Sequence, residues 1–313
     1  LGAYIVLIGL AGLLLGARVP WRAPALTAAA LLPILVLTAL GELANTRFPH
    51  PFGGWLVLVL FGWELGWVMG QASLRSATWG NIAWALRPGL VVALLWRHGK
   101  RIAWPVRRHF DTYAVAGLTP VALYLYLWAV AGSRLNGSPA PLPYLPLLNP
   151  MDLAQLGVLL AIGRWCGWLD HRDERPPWWP RRILWLSVLG AGGLVWLNTV
   201  LARAVHFWDG AGYHLAELYH SVVFQAATAI LWTLTALPLM VLANRRGVRE
   251  PWLAGALLLA AVVLKLFLVD LSGIGTLARI IVFPAVGALM LLIGYLAPLP
   301  PRAAPDAKSG CSA

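Results

Sequence analysis

The chain is 313 residues long, 60% hydrophobic and 12% charged, with a mean hydropathy of +0.73. A soluble domain of this length carries about a quarter charged residues, so the composition excludes the soluble globular class and points to a membrane protein. The formal net charge of +12 does not indicate nucleic-acid binding, because the basic residues fall in short clusters between apolar runs rather than on one face.

In chain order, apolar runs at roughly 1–16, 25–41, 54–71, 79–96, 112–132, 151–169, 183–203, 216–243, 251–270 and 276–296 approach the length that crosses a bilayer core. They predict about ten spans. The runs are continuous rather than alternating, which selects helices over barrel strands. The expected fold is therefore all-α, a polytopic transmembrane bundle forming one domain over 1–297. Pro33, Pro88, Pro120, Pro238 and Pro284 fall within spans, where neighbouring helices re-satisfy the freed carbonyls. The eighth run is long enough to include an amphipathic lead-in before the span itself. The chain opens inside an apolar run at Leu1 with no Met, which reads as a piece of a longer protein. Residues 298–313 are rich in Pro, Ala and small polar residues and are expected to form a disordered tail.

Many of the 18 tryptophans sit at the ends of apolar runs, among them Trp21, Trp55, Trp96, Trp178, Trp179 and Trp208, where an aromatic belt places amphipathic rings. The connections 97–111, 170–182 and 244–250 are strongly basic, while 133–150, 204–215 and 270–275 are not. The excess of positive charge on cytoplasmic loops then places the basic connections and the C-terminus in the cytoplasm, and the others outside. The first half fits this alternation less well, since Arg18 and Arg22 would face outward. Such basic clusters can also hold anionic headgroups. Cys166 and Cys311 supply neither a disulfide framework nor metal-ligand spacing, and no cofactor fingerprint is present.

Charges in spanning sequence are costly and point to function, and Lys265, Asp270 and Arg279 are the leading case. Lys265 and Asp270 are about 7 Å apart along a helix and roughly 140° apart around it, so they are not a facing pair. With Ser272, Gly273, Gly275 and Thr276 forming a turn, the three charges gather near one interface. They either lock the last hairpin or bind an anion. A second group, Arg203, His206, Asp209, His214, Glu217 and His220, precedes and opens the eighth span. His214, Glu217 and His220 share one helical face and are weak metal candidates, since zincin spacing is absent. A third, Asn149-Pro150-Met151-Asp152-Leu-Ala-Gln155, opens the sixth span, where Asn149 or Asp152 can cap free amides. Asn149, Asp152, Arg203, His206, Lys265, Asp270 and Arg279 together are the expected outward-facing polar cluster. Glu64, Arg87, Arg164, Asn198 and Gln225 are isolated polar residues within spans, and Glu64 and Arg87 are expected to pair.

The run from Lys265-Leu-Phe-Leu-Val-Asp270-Leu-Ser272-Gly273 through Leu277-Ala-Arg279-Ile, then Val286-Gly287 and Ile293-Gly294-Tyr295, resembles the domain of unknown function 2339 family. Leu147-Leu-Asn149-Pro150-Met-Asp152-Leu-Ala-Gln155 and Trp104-Pro105-Val-Arg107-Arg108-His109 also resemble internal motifs of that family. A departure is Val282-Phe283-Pro284, where the family pattern tends to Ser-Phe. The resemblance implies a multi-pass bacterial inner-membrane protein and carries no catalytic residue or cofactor with it. The functional expectation is an envelope-related integral membrane protein. The alternatives are a transferase or transporter for an anionic or lipid-linked substrate, and a scaffold for a membrane complex. The expected partners are the lipid bilayer, an anionic lipid or lipid-linked substrate and other membrane subunits; nucleic acid is not among them.

Overall fold

A computed structural model of the chain describes residues 77–101, 107–172, 176–266 and 291, with the backbone alone at Ala77 and Arg87. The expected spans before residue 77 and, but for Leu291, at 276–296, the tail 298–313, and Glu64, Asp270 and Arg279 lie outside the described residues. Those described form helices and turns with no strand among them. The helices are α1 (Ala77–His98), α2 (Leu118–Ala131), α3 (Pro150–Asp170), α4 (Arg182–Asp209), α5 (Leu215–His220), α6 (Val222–Arg245) and α7 (Arg249–Lys265).

Every apolar run between 79 and 265 thus becomes a helix. Three stretches among the described residues are long and apolar enough to cross a membrane: Thr112–Arg134, Arg182–Asp209 and Val222–Arg245. The hydropathy of α1 is diluted by Asn81, Arg87 and Pro88, and that of α3 by Asp152, Gln155 and Arg164. Helix α7 has only 17 residues. The chain divides into two compact units, Leu1–Ala204 and Val205–Ala313.

In the first unit, α1, α2 and α3 build the core from Val92, Leu118, Leu125, Met151, Val158 and Leu169, all buried. A π-helical turn at Thr112–Gly117 leads into α2 and loosens the regular ladder. Trp165 of α3 answers it by donating its indole N–H to the Ala114 carbonyl at 2.9 Å. Trp128 donates likewise to the Asn81 carbonyl at 3.1 Å, and the Tyr126 hydroxyl to the Val188 carbonyl at 2.8 Å. Each such bond joins two helices through an aromatic with a polar tip and contributes about 1 kcal/mol. The outward surface carries exposed Leu90, Leu94, Leu123, Leu127, Leu160 and Leu184. In water such a surface would drive aggregation; hydrocarbon solvates it.

In the second unit the expected lead-in is a separate short helix, α5, broken from α6 at Ser221. The Ser221 hydroxyl caps α6 by accepting from the Phe224 amide at 3.2 Å. Helices α6 and α7 then form a hairpin around Ala236, Met240 and Leu259. Gly255 makes their close approach possible, because a Cβ there would lie 2.6 Å from Met240 Cγ and 3.0 Å from the Ala236 carbonyl oxygen.

Candidate functional site

Local sequence sets the first half of the site. Asn149 caps α3, its Oδ1 accepting from the Met151 amide at 3.2 Å, and Pro150 follows at a position whose N–H would have had no helical partner. Asp152 lies in the first turn, where its carboxylate meets the positive end of the helix dipole. Gln155, at i+3, lies on the same helix face.

Arg203 supplies the second half from α4. Its Nη1 donates to Asp152 Oδ1 and to Gln155 Oε1, the latter at 3.0 Å. Its Nη2 donates to the carbonyls of Gly132 at 2.9 Å and Leu135 at 3.1 Å, and Nε donates to Leu135 at 3.2 Å. Every guanidinium N–H therefore ends on an acceptor of the same chain. Gln155 completes the arrangement by donating from Nε2 to the Ala129 carbonyl at 2.7 Å. Asn149 Nδ2 donates to the Gly137 carbonyl at 2.8 Å.

The electrostatics follow from the helix ends. Ala129 and Gly132 carry carbonyls from the C-terminal end of α2, which is the negative end of its dipole, and the guanidinium sits against them. Asp152 holds the opposite charge at the N-terminal end of α3. Arg203 and Asp152 are 0% exposed, and Asn149 and Gln155 are 1% exposed. A buried ion pair is tolerable only when its remaining polar atoms are also satisfied, and here they are, with one exception. Asp152 Oδ2 makes no hydrogen bond to any described residue.

The connection from Gly132 to Asn149 has to pass very close to this pair. Gly137 adopts φ +67, and a Cβ there would lie 2.8 Å from Arg203 Nε and 3.1 Å from Asn149 Nδ2. Glycine answers both demands, left-handed backbone and absent side chain.

The structure thus brings Asn149, Asp152 and Arg203 of the sequence-predicted cluster together, in the interior rather than on an open face. Helix α4 continues past the expected end at 203 to Asp209, so Arg203 and His206 are helical rather than in a connection. His206 belongs to the second unit, where its Nδ1 lies 2.7 Å from the Ala211 carbonyl oxygen and its ring meets Tyr213 edge-on. Lys265 ends α7 and donates from Nζ to the Gln225 carbonyl near the start of α6, at 3.0 Å. Asn198 and Gln225 direct their side-chain amides to the carbonyls of Leu194 and Tyr219, and Arg164 is exposed. Glu217 and His220 line an open groove of about 500 Å³ together with Asp209, and His214 stands outside it. Among the described residues no three His, Cys, Asp or Glu side chains are placed to hold a metal ion.

Sequence reasoning missed the partners more than the principals. Gln155 carried a signal, its i+3 spacing from Asp152 within the motif that opens α3. The Gly132, Leu135 and Gly137 carbonyls carried none, since every residue has one. Chemically, the closed network binds helices to one another; an incoming anion would have to break an existing bond to reach Arg203.

The family described as predicted membrane protein (DUF2339) matches residues 1–300. No curated protein and no solved structure matches the chain. Coming on top of apolar helices of membrane-crossing length, a match over nearly the whole sequence means that the chain belongs to the DUF2339 family of predicted membrane proteins.

Proposed function

We propose that this chain is the helical core of a multi-span bacterial inner-membrane protein that serves the envelope as a scaffold for other membrane subunits. In this reading about ten spans cross the bilayer, and the basic connections and C-terminus are cytoplasmic. The Arg203–Asp152 network then lies toward the outer face. The observation that carries the scaffold reading is the closed coordination of Arg203: all its N–H groups end on the chain's own carboxylate, amide and carbonyl oxygens. A cation poised for an anionic substrate keeps donors available, whereas a cation that fixes helices relative to one another uses them all. Buried ionic groups are retained in some proteins for such conformational specificity.

The test is isolation of the full-length protein from native membranes in lipid nanodiscs, followed by identification of co-isolated subunits. A membrane subunit present in constant stoichiometry is the expected result. Isolation of the chain alone, together with saturable uptake or binding of an anionic solute by the reconstituted protein, would instead establish the transporter or transferase reading.

A further inference from the structure

At the end of the first unit away from Arg203, the two connections 97–111 and 170–182 are joined. Arg172, at the end of α3, pairs with Asp111 at 2.7 Å, ahead of the turn that leads into α2. Its guanidinium also lies 4.8 Å from the Trp168 ring. Trp168 packs on Trp96 and Phe110, with ring centroids 5.9 Å and 6.0 Å away, and Lys100 stands 5.4 Å over Phe110. A floor of aromatic rings therefore holds the described ends of both connections in one surface.

Among the described residues, that surface has more cations than acids. Arg97, Lys100, Arg101, Arg107, Arg181 and Arg182 are exposed there. The acids described at this end, Asp111 and Asp170, already face Arg172 and Arg182. Arg182 remains 65% exposed despite its 3.8 Å approach to Asp170. Trp178 projects from the same end, 53% exposed, backed by Trp179, which in turn packs edge-on against Trp165. The cations also adjoin hydrocarbon-compatible surface. Arg181 and Arg182 are followed directly by exposed Ile183 and Leu184, and exposed Leu94 lies one turn before Arg97.

We propose that this surface docks on the phosphodiester headgroups of anionic phospholipids, with Trp178 as its interfacial anchor. Guanidinium groups match phosphate oxygens in geometry and charge, and tryptophan prefers the headgroup level. A soluble polyanion such as nucleic acid would be a poorer partner, because the apolar helix flanks begin within one turn of the cations and bring the bilayer surface to them. The inference goes beyond the scaffold reading and rests only on the chain spanning a bilayer.

The experiment uses the full chain in mixed micelles, titrated with phosphatidylglycerol or phosphatidylcholine, with Tm as readout. Phosphatidylglycerol is expected to raise Tm at far lower concentration than phosphatidylcholine. In the variant Arg101→Gln/Arg107→Gln/Arg181→Gln the phosphatidylglycerol needed for half the shift rises about tenfold or more, while Tm in phosphatidylcholine is unchanged. Arg134→Gln, an exposed cation at the opposite end, leaves the response as in the parent protein. Equal response to both lipids, an unaltered triple variant, or the same shift produced by inorganic phosphate would each overturn the proposal. Should the triple variant fail to fold, the parent protein decides: its preference for phosphatidylglycerol is lost near 1 M salt if headgroup charge drives it, and persistence of the preference refutes it.

Discussion

Arg203 and Asp152, 51 residues apart in the chain, meet as a hydrogen-bonded ion pair with both side chains fully buried. The pair stands between two helix ends of opposite polarity, the carbonyl end of α2 and the capped start of α3. Three helices are thereby held at one end of the first unit by a single guanidinium. The cost of desolvating the two charges is offset by the surrounding carbonyls and Gln155 rather than by the pair alone.

Removal of one partner should therefore be far worse than removal of both. Arg203→Met leaves Asp152 buried without its cation and is expected to cost about 3–5 kcal/mol, whereas Arg203→Met/Asp152→Leu should recover a large part of that loss. Chemical unfolding of the full chain in micelles, arranged as a double-mutant cycle, measures both. Equal destabilisation in the single and double variants would mean that the pair is not energetically coupled.

Two glycines with left-handed backbone separate conformational strain from steric exclusion. Gly210, at φ +76, has no atom of a described residue within 4 Å of where a Cβ would sit, while at Gly137 the Cβ meets Arg203 and Asn149. Gly210→Ala should cost about 1 kcal/mol from backbone strain alone, and Gly137→Ala about 1–3 kcal/mol beyond that. Thermal unfolding of the two variants side by side makes the comparison, and equal losses would show that the approach to Arg203 is slack.

The α6–α7 hairpin depends on Gly255 in a different way, because there the obstruction is the facing helix. Gly255→Val is expected to loosen the hairpin by about 1–3 kcal/mol, with a rise in protease cleavage around residues 245–249. Met240→Ala in the same background should restore part of the resistance, as Met240 Cγ is the nearest obstruction at 2.6 Å. If Met240→Ala gives no relief, the Ala236 carbonyl is the controlling contact.

Lys265 provides a test of whether the end of α7 is a tie or a ligand contact. Lys265→Met removes the donor to the Gln225 carbonyl and should weaken the hairpin by about 1.5–3 kcal/mol, with faster hydrogen exchange over the first turns of α6. A variant with unchanged abundance and exchange but a lost envelope phenotype would instead make Lys265 a contact for something outside the chain.

Much of this architecture was legible because it is local. Continuous apolar runs predict helices at 79–96, 112–132, 151–169 and 183–203, and α1 to α4 occupy those places. The Asn149-Pro150 start of α3 and the lead-in before α6 were readable from capping chemistry and run length. The end of α4 was not, because Arg203 and His206 look like the start of a polar connection until Arg203 is seen to have its acceptors inside the bundle.

The sequence by itself determined that this is a helical membrane protein, since run length and low charge density are properties of each segment taken alone. It also offered Asn149 and Asp152, through the capping motif that opens α3, and Arg203, as the start of an expected polar connection. Only the tertiary structure decided that Asn149, Asp152 and Arg203 face one another, and that Arg203 has no donor left over. The physical reason is that its acceptors are mostly backbone carbonyls, alike at every residue, and that long-range approach through Gly137 is a matter of space rather than of side-chain pattern.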